Sequence, residues 1–351
     1  MNQDPANLFK NPLKFNAKNI IILVLLLVGL YFLLPKLVGL EQALKLLRHI
    51  NKFYLLLGIV AEIMSFIGAA WLLGIIFTQL GHKLPFFTRF KLGSIAAFTI
   101  HFVPLGAAGE AAFDYYFLRK QRVDSGSIIL MWILRWIFTY AGFFLVFLFG
   151  LMLVPTYPDL TFSPKFISPI LLIAILGAVF YLVYIYRHKD KFWQVWSKLF
   201  SFANRIIKRF KKEPFAEDKK REVFDDIYEG IGLFGRKKRS SILAILAGML
   251  YWLGDITCFY FVFLSFGFHI GWGMLIFSYC ISTVLGIISA VPGGMGVTEG
   301  SMALILTGMG VPGALALTAT LVFRLFSYWV WIPVGFFSYL SLRNPKLEKN
   351  Q

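Results

Sequence analysis

Two apolar stretches of this chain are broken by proline and glycine and carry a carboxylate just past the break. In the second, Trp272 to Gly310, the break reads Val-Pro-Gly-Gly-Met-Gly-Val-Thr-Glu-Gly over residues 291–300. Pro292 has no N–H, and Gly293, Gly294 and Gly296 accept positive φ, so a helix arriving there must stop and turn. Backbone freed in this way at membrane depth is tolerated only where protein or a water-filled cavity receives it. A carboxylate at that depth, here Glu299, is a functional-site candidate by default.

The surroundings make membrane depth the right frame. Of the 351 residues, 58% are apolar and 18% aromatic, and several apolar runs are long enough to cross a bilayer. The net charge of +17 raises nucleic acid as a partner, but the basic residues lie between and beside apolar runs, as membrane topology requires, and no nucleic-acid partner is expected. Cys258 and Cys280 both sit inside apolar segments, so neither a disulfide framework nor a metal site is signalled.

Residues 1–19 are polar and basic and read as a cytoplasmic N-terminus. The first transmembrane half, 20–186, holds a retained span at about 20–40, too long for the core of a signal peptide, and an interfacial stretch over 41–52. A span over 53–80 with Glu62, the interrupted segment 92–118, a span over 128–154 with Arg135 and a span over 169–186 follow. Residues 187–239 carry 16 Lys/Arg against 8 Asp/Glu, and 187–240 reads as a basic cytoplasmic connector. Phe192, Trp193 and Trp196 among its lysines fit either an amphipathic helix on anionic lipid or a solvated linker. The second half, 241–342, has a span with Asp255, the interrupted segment 272–310 and a last span with Arg324; 343–351 is a cytoplasmic tail.

The halves repeat. Val103-Pro104-Leu105-Gly106 through Gly109-Glu110 answers Val291-Pro292-Gly293-Gly294 through Glu299, and Glu62 answers Asp255. Arg135 stands 25 positions beyond Glu110, and Arg324 stands 25 beyond Glu299. If every basic cluster faces the cytoplasm, 92–118 enters and leaves on the inside and 272–310 on the outside, although the basic stretch 41–52 then falls outside. The expected fold is an all-α polytopic membrane protein of inverted repeats, with about six full spans and two re-entrant helical hairpins, in the plasma membrane.

A helix restarting after each break offers free N–H groups and a partial positive charge to an anionic ligand, or to its own glutamate. The candidate substrate-binding residues are Pro104, Gly106, Gly109, Glu110, Arg135, Pro292, Gly293, Gly294, Gly296, Glu299 and Arg324. Glu62, Asp255 and His101 are candidates for proton coupling. Ion pairs that merely pin each hairpin to the next span are the competing reading. No nucleophile–base set, P-loop or metal-ligand cluster stands out, so no catalytic residue, metal or cofactor is expected.

The run Pro292-Gly-Gly-Met-Gly-Val-Thr-Glu299, with the earlier Pro104 to Gly109-Glu110, resembles the flippase-like family related to the transmembrane domain of lysylphosphatidylglycerol synthases. The resemblance covers roughly residues 15–342. The first motif lacks the basic residue that relatives often carry soon after the glutamate. The resemblance implies movement of a phospholipid or lipid-linked intermediate between leaflets. With the chain ending at Gln351, the soluble aminoacyl-transferring domain of bifunctional relatives is expected to be absent. The competing functions are an integral-membrane enzyme on lipid-linked phosphate or sugar and a non-transporting membrane scaffold. The lipid, the transport direction and the oligomeric state stay open.

Overall fold

The computed structural model describes residues 50–102, 106–154, 183–209, 217–289 and 291–343, with isolated positions at 47–48, 169, 173, 177 and 180–181. The expected span at 20–40, most of that at 169–186, and Pro104 lie outside the described residues. All regular structure among the described residues is helical. The helices are α1 (Lys52–Gln79), α2 (Phe86–Phe102), α3 (Gly106–Lys120), α4 (Ser125–Leu153), α5 (Lys189–Arg209), α6 (Glu217–Arg236), α7 (Lys238–Ser265), α8 (Trp272–Ile288), α9 (Val297–Gly308), α10 (Gly313–Arg324) and α11 (Trp331–Arg343).

Three of these, α1, α4 and α7, together with the stretch Gly313–Leu342, are long and apolar enough to cross a bilayer. Helix is the form that satisfies every backbone group within its own segment, which hydrocarbon demands. Polar caps mark where two of them begin. The Asn51 side chain accepts from the Phe53 N–H at 3.0 Å, and Asp124 accepts from the Ser127 N–H at 2.7 Å.

Contacts at the two ends fix the directions of the long spans and of the hairpin arms that meet them. At the basic end, Lys237 reaches Gln79 at 2.8 Å, His82 meets Asp124 at 3.3 Å, and Lys91 donates to Ser341 at 2.9 Å. This gathers the end of α1, the starts of α2, α4 and α7, and the end of α11. At the opposite end the Asn51 N–H donates to the Ser265 carbonyl at 2.8 Å, and the start of α8 packs on the end of α4. The hairpin α2–α3 therefore leaves from and returns to the basic end, and α8–α9 does the same from the other end. Each hairpin rests on a span of the other repeat, α8 on α4 and α2 on α11.

Small residues allow the central helices to approach closely. A Cβ on Gly254 of α7 would lie 2.6 Å from the Ser65 nitrogen of α1, and one on Gly142 of α4 would lie 2.5 Å from the backbone of Gly248. The apolar interior forms two clusters, one per end. Leu92, Ile95, Phe117 and Leu118 of the first hairpin belong to the cluster at the basic end, and Leu275, Ile276, Met302 and Leu306 of the second belong to the other.

The distribution of polarity is inside-out. Glu62, Glu110, Asp114 and Glu299 are buried, whereas Leu304, Ile288 and Phe337 are largely exposed, as expected of a protein solvated by lipid. The described parts of the basic connector form two helices that pack on their surroundings. Its α6 docks on α4, with Phe234 and Phe138 rings 5.0 Å apart, and Trp196 of α5 donates to the Lys220 carbonyl at 3.1 Å.

Single cysteines at Thr88 and Ser125 are expected to react with a membrane-impermeant maleimide from the cytoplasm only, and ones at Phe268 and Gly313 from outside only. Labelling of Thr88 and Ser125 from opposite sides would contradict the re-entrant path of α2–α3.

Candidate functional site

The second break is built as a clasp. After α8 the chain makes one 3₁₀ turn, Pro292–Gly294, with Gly293, Gly294 and Gly296 all at positive φ (61°, 65° and 78°) before α9 starts. Glu299, in the first turn of α9, accepts the Gly296 N–H on Oε2 at 2.7 Å and the Arg324 Nε–H on Oε1 at 2.6 Å. Arg324 also donates from Nη2 to the Gly293 carbonyl at 2.9 Å. Its guanidinium lies 4.3 Å from the centre of the Tyr328 ring, a cation–π contact. Only glycine fits at 293, because a Cβ there would fall on the Tyr328 ring. A π-helical turn, Leu325–Trp329, brings Tyr328 to that position.

Of the two roles open to the glutamate, Glu299 takes the self-capping one. The Gly296 N–H is thereby occupied. Arg324 uses Nε and Nη2 in these bonds, which leaves the Nη1 donors of its five-donor fork for another acceptor.

The first break carries the same theme with more acid. Arg135 of α4 pairs with Glu110, and its Nη1 lies 3.7 Å from Oδ2 of Asp114. Glu110 and Asp114 are four residues apart on α3 and so share a face. Both are buried, and Trp132 stacks its ring 5.9 Å from the Arg135 guanidinium. Gly106 opens α3 and Gly109 lies in its first turn. The side chain of His101 lies outside the described residues.

Between the repeats lies a cavity of about 510 Å³. Glu62, Glu110, Arg135, Asp255 and Arg324 all line it, together with Gly293 and Gly294 of the second break. Ile287 and Val291 belong to its wall and are 55% and 38% exposed, so among the described residues one side of the cavity reaches the outer surface. Tyr279 donates its hydroxyl to Asp255 at 2.5 Å, and Trp252 donates to the Thr139 carbonyl at 2.8 Å, fixing α7 against α4. Among the described residues no group of three or more His, Cys, Asp or Glu could hold a metal ion.

The structure thus joins Glu110 to Arg135 and Glu299 to Arg324 and opens both arginines onto one cavity with Glu62 and Asp255. Sequence reasoning overlooked Asp114, Tyr328 and Tyr279. Asp114 was legible as the fourth residue after Glu110; the two tyrosines announce themselves only through tertiary contact.

Replacing Arg324 with Gln is expected to destabilise the protein by about 3–5 kcal/mol, because it leaves Glu299 charged, buried and unpaired. The double variant Glu299→Gln with Arg324→Gln should recover most of that loss. Thermal unfolding in detergent reads both, and an unchanged midpoint for the single variant would contradict the pairing.

The lysylphosphatidylglycerol synthase TM region, as a family, matches residues 19–335. A UPF0104 membrane protein of Methanocaldococcus jannaschii is 23% identical over 328 residues, which is 91% of this chain and 94% of that protein. A UPF0104 membrane protein of Methanothermobacter thermautotrophicus is 30% identical over 176 residues, 46% of this chain and 50% of that one. One of Pyrococcus horikoshii is 32% identical over 186 residues, 52% and 53% of the two chains. The last two alignments span about half the length of those relatives. With the family match covering both breaks and both glutamate–arginine pairs, this chain belongs to the lysylphosphatidylglycerol synthase TM region family and is a membrane protein.

Proposed function

We propose that the protein is a lipid translocase that moves a phospholipid or lipid-linked intermediate between leaflets without covalent chemistry. One observation carries the reading: two hairpins of opposite orientation meet their arginine partners at a single cavity between inverted repeats, which Gly293 and Gly294 of the second break also line. Broken helices meeting at mid-depth are the pattern by which many transporters bind a charged group inside a bilayer. A head group cannot cross hydrocarbon with its charge exposed, so a polar chamber with an apolar mouth is the minimum equipment. The wall at Ile287 and Val291 supports such a mouth.

In this reading the head-group phosphate sits between Arg135 and Arg324, on the guanidinium donors that the carboxylates leave free. Acyl chains stay in the bilayer against the exposed apolar faces. Alternating access is a rocking of one repeat against the other, with α1 and α7 as the contact between them. The setting is the plasma membrane, with the basic end of the helices in the cytoplasm. The oligomeric state plays no part in this scheme.

Purified protein in vesicles is expected to move a fluorescent anionic phospholipid between leaflets, and Arg135→Ala combined with Arg324→Ala to stop it. A leaflet distribution that stays fixed across a broad lipid panel, together with turnover of a lipid-linked phosphate, would favour an enzyme instead.

A further inference from the structure

The acids at the contact between the repeats belong to neither arginine clasp. α1 and α7 run antiparallel with their backbones touching. Gly58 faces the Cys258 carbonyl, Ser65 faces Gly254, and Gly68 faces Tyr251, with Cβ approaches of 3.5, 2.6 and 2.8 Å. That register sets Glu62 against Asp255, close enough for the charge of one to act on the other. Glu62 is 2% exposed and lines the cavity, and its polar neighbours are Asp255 and the Trp331 indole. Asp255 has the Tyr279 hydroxyl.

We propose that Glu62 and Asp255 form a proton-binding site that holds one exchangeable proton between the two repeats and couples its movement to turnover of the cavity. This rests on the translocase reading above.

The chemistry of the surroundings selects a proton over a metal ion. α1 and α7 run unbroken through the site, so their carbonyls are engaged in helix hydrogen bonds. A hard cation asks for six or more oxygens, and the site provides two carboxylates and phenol oxygens. Two carboxylates in contact and out of water cannot both stay ionised, and a proton shared between them removes the repulsion. The other groups facing the pair do not remove it. Tyr251 and Cys258 on α7 and Tyr279 on α8 carry no positive charge. Arg324 acts on both acids but is engaged by Glu299, and across the cavity Arg135 is engaged by Glu110 and Asp114.

Loading forms an O–H bond between a proton taken from water and one carboxyl oxygen. Release breaks that bond and returns the proton to water. With the proton bound, the pair carries one negative charge instead of two, the repulsion between the acids is removed, and the α1 and α7 backbones can stay in contact. With it released, like charges repel and draw water into the cavity, which favours separation of the repeats. The site therefore biases the motion that the translocase reading requires.

The test uses the full chain in vesicles with fluorescent phosphatidylglycerol, under an imposed pH gradient of either direction, with and without a protonophore, and separately under a sodium gradient. Wild type is expected to skew the lipid between leaflets according to the pH gradient and to lose the skew with protonophore. Glu62→Gln and Asp255→Asn are expected to lose the response to the gradient. Lipid movement by wild type that ignores the pH gradient, or that follows sodium instead, would overturn the proposal. Infrared difference spectra of detergent-purified protein between acid and alkaline buffer give a readout that needs no transport. With the acid buffer kept about two pH units above the range in which exposed Asp and Glu titrate, so that these stay ionised in both buffers, a carboxylic C=O band is expected in wild type and diminished in Glu62→Gln, while a wild type without such a band overturns the proton site. If wild type moves no lipid but shows the band, the translocase reading fails and the proton site stands. Monodisperse elution of each variant establishes that it has folded, and the wild-type measurements decide the matter if a variant has not.

Discussion

A guanidinium carried into hydrocarbon is tolerable only where a carboxylate meets it, and that requirement fixes where each hairpin stops. Glu299 does more than neutralise. One oxygen closes the start of α9 on the Gly296 N–H and the other holds Arg324, whose own second bond ties down the Gly293 carbonyl. Turn, helix start and following span are thereby locked as one unit. Without the arginine, the Gly293 carbonyl in the loop loses a partner, and an unpaired carbonyl at that depth adds its own cost to the larger one of the unpaired Glu299 charge. The positive φ values of the glycines follow from this: the backbone is bent so that a carbonyl and an N–H both face the ion pair.

Much of this was legible because membrane depth leaves few alternatives. Pro292 with its glycines announced a break, and the equal spacing from Glu110 to Arg135 and from Glu299 to Arg324 announced partners, since a hairpin arm and the next span run side by side. The re-entrant paths followed from counting basic flanks. What stayed hidden depends on contact between distant elements. Tyr328 reads as one more aromatic in an aromatic-rich span, and its place under Gly293 requires the π-helical turn Leu325–Trp329; Pro333, which has no N–H for the Trp329 carbonyl, marks a disturbed helix there without saying which ring it moves. The docking of α6 on α4 was equally hidden, because the basic composition of the connector says only that it meets water.

The repeats have diverged in how they hold their arginines. Arg135 sits between two acids and under an indole, whereas Arg324 has one acid, one carbonyl and a phenol ring. Where α3 has Asp114, one turn past its glutamate, α9 has Ala303. The first cluster carries a surplus of acid when all its groups are ionised and the second is balanced. The two sides of the chamber therefore offer a passing charge unequal surroundings, a difference that a symmetric pair of sites would not provide.

The distances along the chain between these partners bear on how the protein is made. Glu110 and Arg135, like Glu299 and Arg324, lie within one repeat, so each half can pair its own buried arginine as soon as the span that carries it leaves the ribosome and enters the bilayer. Glu62 and Asp255 are separated by more than half the chain and meet only when the second half arrives. Until then Glu62 waits in the membrane without its counterpart. Assembly of the halves is thus reported by the burial of an acid pair, and an intermediate stalled before it would hold Glu62 apart from Asp255.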